Sequence, residues 1–453
     1  MERLLFVFGI AFAAFVYGVA TVQYEVFPYR LLKEAKLGLE AWAAMDRNNS
    51  RFPKAFEKFE ENAAPVPQAK KLDEKIGNEN ILVTGGPYQL MERCPKWGCM
   101  AWITDRAGNI VHTWEVDLAE LWKGLDDVSG DVNRLSLYPV GMALGKDGSL
   151  VVSFQGRETF PVQIGIAKVD KAGKIVWKRF DRSHHWIATD EAGNIYTPYA
   201  WFTDARYVGG TAVDLPCETR KSGVDGIRVL SADGKPLREL PIVDSFLKSG
   251  LTGWFYNIRH ACNPTHLNSI ALVTPSLEKK IPGAAAGDFL VSLRETNTVA
   301  LMDGKTGLVK HAVAGRTAAQ HSPQFLPDGT VLVFDNLGGD RSAGGTRVVR
   351  IDLAKGTAET VFPRENAKAL LPVTSRSAGH ISVSPDGKRA LVSVTHQGRI
   401  VEIDVASGQP VWTYDNTHDI AKFLDAEGID KKSSRARFAT YGAYYVSNAE
   451  FLK

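Results

Sequence analysis

The chain has little of what marks the commoner chemistries. Its 453 residues hold four cysteines. Cys94 and Cys99 stand five apart with no second pair nearby, a spacing that argues against zinc. The 54 Lys and Arg against 51 Asp and Glu leave a net charge of +3, too small to imply nucleic acid. No basic run carries the interleaved aromatics of single-strand binders. There is no GxxxxGK[ST], and the glycine-rich GGDRSAGG lacks the lysine and its strand context. There is no HExxH, and no GxSxG beside a plausible triad. Nucleotide, zinc-protease and serine-hydrolase readings therefore fall away, and no cofactor is expected. The hydrophobic fraction, 44%, still supports a sizeable core.

What is present is repetition. Polar hairpin tips recur at Gly108, Gly173, Gly234, Gly307, Gly356 and Gly408, and a second series at Gly148, Gly193, Gly329 and Gly387 lies between them. Glycine with Asp or Asn supplies the positive φ of tight hairpins. The flanking runs, such as GNIVHTWEVD and GKIVWKRFD, are short and rich in Val, Ile and Trp, and read as strands. Two hairpins per unit make a four-stranded blade, and six tips predict an all-β, six-bladed β-propeller. The alternative is a β-sandwich or two small β domains. The late run at 437–446 is expected to return and pair with the first blade.

The uncharged segment Leu4–Val22 is long enough to cross a bilayer. A cleavable signal peptide with a small-x-small site at Gly18–Ala20 is the alternative. Tyr29–Met45 has apolar residues at helical spacing, and 47–79 is polar and proline-broken. The expected organisation is a transmembrane anchor over 1–24, an amphipathic helix and linker over 25–79, and the propeller over 80–453. An exported domain would favour a Cys94–Cys99 disulfide. Cys217 and Cys262 are the leftover pair.

Four histidines open repeating segments: His185, His266, His321 and His380. His185 and His321 each precede the glycine of the next turn by eight residues, and His380 does so by seven. Equivalent positions in a closed repeat fold converge on its axis, so these should line one end of the central channel. Arg341 follows the strand that His321 opens, and Arg376 lies four residues before His380. Imidazoles beside a guanidinium suit an anionic tetrahedral group, since arginine presents a fork to two oxygens. Neutral histidine can attack sulfur or phosphorus, and a second can move the acceptor's proton. A histidine-only divalent metal site is the alternative; the arginine and the lack of carboxylates disfavour it, and no metal is expected.

The segments TDRAGNIVHTWEVD, HHWIATDEAGNIY, NPTHLNSI and QHSPQFLPDGTVLVFDN, with the arginine that follows, resemble the bacterial arylsulfotransferases that use phenolic sulfate esters as donors. The likeness covers roughly residues 80–447. The anchor followed by VFPYR is similar to the membrane-tethered branch. The resemblance implies a periplasmic propeller on a single-pass inner-membrane anchor. It implies ping-pong transfer from an aryl sulfate to a phenol through a sulfohistidine. On that pattern His266 and His321 bind sulfate with Arg341, and His380 is the nucleophile. His185, Asn268, Asn336 and Arg376 complete the substrate site. The reading from a different class is a non-catalytic tethered propeller, a homo-oligomer or a subunit of an envelope complex.

Overall fold

The computed structural model describes residues 2–24, 26–29, 31–32, 57–59, 68–86, 94, 99–126, 128–130, 137–156, 159–160, 162–204, 221–258, 262–426, 428, 430, 433–447 and 450–452. The chain divides into two compact units, Met1–Ala55 and Phe56–Lys453. In the first, Glu2–Gln23 is one helix, with mean hydropathy 2.3 over Arg3–Gln23 and its large apolar side chains exposed. At about 1.5 Å per residue it is long and apolar enough to cross a membrane. Most of the amphipathic helix expected at Tyr29–Met45 lies outside the described residues.

The second unit is a six-bladed propeller. Its blades, from innermost to outermost strand, are as follows. Blade 1 is Thr440–Val446, Asn80–Gly85, Cys99–Thr104 and Ile110–Glu115. Blade 2 is Leu137–Leu144, Leu150–Gly156, Gln163–Val169 and Ile175–Arg179. Blade 3 is Ala188–Thr189, Ile195–Asp204, Lys221–Leu230 and Pro236–Pro241. Blade 4 is Leu267–Leu272, Phe289–Leu293, Thr298–Met302 and Val309–Ala314. Blade 5 is His321–Phe325, Val331–Asp335, Arg347–Asp352 and Thr357–Phe362. Blade 6 is His380–Val383, Arg389–Val394, Arg399–Asp404 and Pro410–Asp415. Every pairing within a blade is antiparallel.

The turn signals act as their chemistry requires. Asp170 accepts from the backbone N–H of Ala172 and Lys174, and Gly173 takes φ 87°. A Cβ at Gly173 would also come within 1.9 Å of the Glu115 carbonyl, so this tip packs on blade 1 as only glycine can. The cores lie between blades. Phe334 and Val348 of blade 5 pack with Val392 and Val401 of blade 6, and Leu290 and Val299 of blade 4 with Val333 and Val349 of blade 5. Middle strands are covered on both faces, which is why they read as near-continuous apolar runs. Indole N–H groups tie neighbouring blades: Trp114 to Gly148 O (3.0 Å) and Trp412 to Arg106 O (2.9 Å).

The ring closes where the sequence places it. Thr440–Val446 pairs with Asn80–Gly85 and becomes the innermost strand of blade 1. Part of the expected linker belongs to the propeller. Gln68–Lys71 adds a fifth strand outside Pro410–Asp415, and Glu57–Phe59 pairs with Arg435–Phe438. A polar, lysine-bearing strand covering an open sheet edge is a common protection against edge pairing. The Cys94–Cys99 disulfide is formed (Cα–Cα 5.2 Å) and sits in the core between blades 6 and 1. Cys262 is also disulfide-bonded; Cys217 lies outside the described residues.

Candidate functional site

In an antiparallel blade the start of the innermost strand and the end of the second strand lie at the same end of the propeller. The site is built from these two rings of positions. The first ring carries the four histidines, in two local conformations. His185 (φ 54°) and His266 (φ 48°) are themselves left-handed and stand just before their strands. In blades 5 and 6 a left-handed alanine, Ala319 or Ala378 (both φ 56°), stands two positions earlier, Ser322 (φ 48°) follows His321, and His321 and His380 are already in the ladder. His321 and His380 are accordingly buried, whereas His185 and His266 are partly open to the channel. Left-handed non-glycine residues cost energy and cluster at functional sites.

One chamber, about 340 Å³, is lined by His185, His266, His321, His396, Arg294 and Gln155, with Tyr138, Trp186 and Tyr441 as its aromatic wall. That volume is within the range of small-ligand sites, on the order of 300–1,000 Å³. The ring centroids of His185 and His266 are 5.2 Å apart, and Trp186 meets His321 edge-on at 5.6 Å. His380 is not in this chamber. It lines a second one, about 300 Å³, with Met142, Leu144, Gln324 and Tyr444. The Trp186 indole borders both chambers and is held there by donation to Tyr441 O at 3.1 Å. It stacks on His380 at 6.0 Å.

The other expected residues are placed as follows. Arg341 lies in an exposed turn, Arg341–Ala343, whose Asp340 cap accepts from Ser342 N, and it lines neither chamber. Arg376 is likewise exposed and lines neither. Asn268 is fully buried and donates to Gln320 O at 2.8 Å, which fastens blade 4 to blade 5. Asn336 touches no chamber but orients His321. Its amide nitrogen donates to Ser375 O (2.8 Å) and Ala378 O (2.6 Å), so its Oδ1 faces His321 Nδ1 at 2.7 Å. A carbonyl oxygen only accepts, so His321 Nδ1 carries the proton and Nε2 the lone pair. At His266 the neighbour is a donor instead: Asn263 Nδ2 lies 2.7 Å from Nδ1, which puts the ring proton on Nε2.

The arginine in the chamber is Arg294, at the end of the second strand of blade 4. Its Nη1 pairs with Glu295 Oε1 at 2.6 Å, while its buried Nε has no hydrogen-bond partner among the described residues. Gln155, Asn336 and His396 hold the corresponding strand-end positions of blades 2, 5 and 6. The sequence signal for them was positional: within two residues of the end of each second strand. Among the described residues no three His, Cys, Asp or Glu side chains converge to hold a metal ion.

Burial decides the charge state of the imidazoles. It pushes His321 down to about 3, opposed by the Asn336 hydrogen bond and aided by Arg294. Burial likewise pushes His380 and His418 to about 3. His185 lies well below the ordinary value, first by burial and then by repulsion from His184, His266, His321 and Arg294. These rings are neutral at pH 7. The linkage has a definite sign. Between about 6.5 and 3 the unfolded chain takes up protons that the folded protein refuses, so stability falls with acidification. We expect chemical-denaturation midpoints to drop steadily below pH 6, by on the order of 1 kcal/mol per pH unit for each buried histidine. Midpoints that stay flat from pH 7 to 4.5 would contradict this.

The chamber of this propeller gathers neutral imidazoles around the Arg294 guanidinium. The model of the arylsulfotransferase (ASST) family matches residues 141–417, more than half of the chain, a span that holds His185, His266, Arg294, His321, His380 and His396. The chain belongs to the arylsulfotransferase family, and that membership supports an arylsulfotransferase-like function. No curated protein matches it. Solved structures with which it shares similarity include a protein of unknown function from Bacteroides caccae, at 15% identity over 74% of this chain and 93% of that one, TM-score 0.43. A catalytically inactive virginiamycin B lyase from Staphylococcus aureus with quinupristin is similar at 12% identity, over 75% and 86%, TM-score 0.37. The Cps50 (Swd1) β-propeller domain of Myceliophteria thermophila is similar at 10%, over 76% and 88%, TM-score 0.40.

Proposed function

We propose that the protein transfers a sulfuryl group from an aryl sulfate ester to a phenol through a sulfohistidine formed in the chamber of His185, His266, His321 and Arg294. The observation that carries the reading is the buried Nε of Arg294, which has no hydrogen-bond partner among the described residues although its Nη1 is paired with Glu295, and which lies among neutral imidazoles. A buried unpaired donor is costly unless a ligand meets it, and an anionic oxygen is the natural partner. The aromatic wall of Tyr138, Tyr441 and Trp186 suits an aryl ring, with Tyr138 and Tyr441 stacked at 4.9 Å.

His321 is the nucleophile in this reading, in place of His380. Its Nε2 carries the lone pair of a neutral ring, and it shares the chamber with the guanidinium. In the first half-reaction Nε2 forms a bond to sulfur, the bridging O–S bond breaks, and the aryloxide leaves with that electron pair. Arg294 and the Nε2–H of His266 hold the sulfuryl oxygens as charge redistributes. The propeller is assigned to the periplasmic side of a bacterial inner membrane, with Glu2–Gln23 as its anchor. The apolar helix and the disulfides support that placement.

The test is incubation with an aryl sulfate followed by intact-mass measurement, then addition of a phenol. One added sulfuryl group that the phenol removes is expected. Arg294→Ala should lower the rate of loading on the order of 10²- to 10³-fold, as loss of a charge-stabilising donor does elsewhere. An unmodified parent protein across a broad set of aryl sulfates would end the transferase reading.

A further inference from the structure

The doubled histidine has a second partner outside the chamber. His184 is 1% exposed and sits behind His185, its Nδ1 2.6 Å from His185 Nδ1. Its other ring nitrogen, Nε2, lies 3.3 Å from Asp225 Oδ1, off the ideal hydrogen-bond line. Asp225 is itself 1% exposed, and its Oδ2 accepts from Thr265 Oγ1 (2.5 Å) and from Leu267 N (2.9 Å). The carboxylate is therefore fixed by blade 4 although it belongs to blade 3. No role in binding or structure already described uses this line of groups.

We propose that Asp225, His184 and His185 form a relay that makes His185 the general base for the phenolic acceptor. It rests on the transferase reading above. A carboxylate beside Nε2 favours the proton there, so Nδ1 of His184 is the acceptor and Nδ1 of His185 the donor between the two rings. His185 then presents its Nε2 lone pair to the chamber that His321 shares, where the Gln155 amide nitrogen donates to it at 3.1 Å and gives way to the acceptor hydroxyl. In the second half-reaction the acceptor oxygen forms a bond to sulfur and the His321 Nε2–S bond breaks. The phenolic proton passes to His185 Nε2. The His185 Nδ1 proton is held on the His184 Nδ1 lone pair, with the Asp225 carboxylate beyond His184 Nε2. His321 returns to its neutral form with Nδ1–H still on Asn336. Between turnovers His185 releases that proton to solvent and returns to its neutral form. His185 touches substrate in this scheme; His184 and Asp225 act through it as positioning residues.

The alternative use of the pair is purely structural, and two half-reactions separate the two. His184→Gln and Asp225→Asn are compared with the parent, the first retained as the test if the second fails to fold. Protein is loaded with an aryl sulfate whose phenoxide is a good leaving group. Discharge is then timed with phenols whose pKa values run from below to well above the assay pH. Loading should change little. Discharge to weakly acidic phenols should slow on the order of 10²-fold, and discharge to phenols already ionised should be nearly normal. A loss equal for all acceptors, a parallel loss in loading, or no loss would overturn the relay. A parent that never loads would overturn the transferase reading itself, which is a different result from a parent that loads and discharges while the variants do so without acceptor dependence.

Discussion

His321→Asn should remove sulfuryl transfer almost completely, by at least about 10³-fold, or about 4 kcal/mol in barrier terms. In the proposed mechanism this side chain makes the covalent bond to the group in transit. Its Nδ1 proton is locked on Asn336, whose amide is locked in turn on two carbonyls. Its lone pair is kept neutral by burial, so the variant's loss should be the same at pH 6 and pH 8. His380→Asn, on the far side of Trp186, should keep more than a tenth of parent activity. Steady-state transfer on folded variants, checked by thermal melts, decides this. A silent His321→Asn with a dead His380→Asn would reverse the assignment.

The largest stability effect is expected at the seam of the ring. Glu402 of blade 6 is fully buried and meets Arg106 of blade 1 (2.8 Å), Arg389 (2.9 Å) and the Tyr445 hydroxyl of the closing strand (2.8 Å). Glu79 completes the cluster, its carboxyl held down to about 2, first by the Arg389 hydrogen bond. Removing one charge leaves two guanidinium groups facing each other with half their compensation. Glu402→Gln should cost about 3–5 kcal/mol, because breaking a buried charge cluster costs far more than the pair contributes in place. Lys71→Ala, which breaks an exposed pair with Glu74, should cost less than about 1 kcal/mol. Urea titrations of the two variants give the comparison. Equal shifts would mean the seam is held by apolar packing alone.

Much of the fold was legible because a repeat states the same thing several times. Asp and Gly at matched intervals mark hairpins, and six matched tips leave few ways to bury so many strands. The late run that closes blade 1 was legible for the same reason, as strands left over must pair. The strands at Glu57–Phe59 and Gln68–Lys71 were not, since their polar residues lie at sheet edges where little is buried. The histidines of blades 3, 4 and 5 were legible by position. What the sequence could not say is which side of the axis each ring faces. Trp186 decides that, and its placement depends on a carbonyl, Tyr441 O, more than two hundred residues away. Gly141 matters similarly: a Cβ there would come within 2.2 Å of the His185 carbonyl, a contact between blades 2 and 3 that no local pattern reveals. Arg341 drew notice because it follows a specific-looking motif, yet its turn folds outward. Arg294 sits in an unremarked strand end and reaches the chamber.

The central claim is tested most directly by locating the covalent group. Protein loaded with an aryl sulfate is digested at mildly alkaline pH, and the sulfuryl-bearing peptide is sequenced by mass spectrometry. The account predicts a single modified residue, His321. A sulfuryl group on His380, or reproducible transfer with no adduct on any histidine of the chamber, would contradict it.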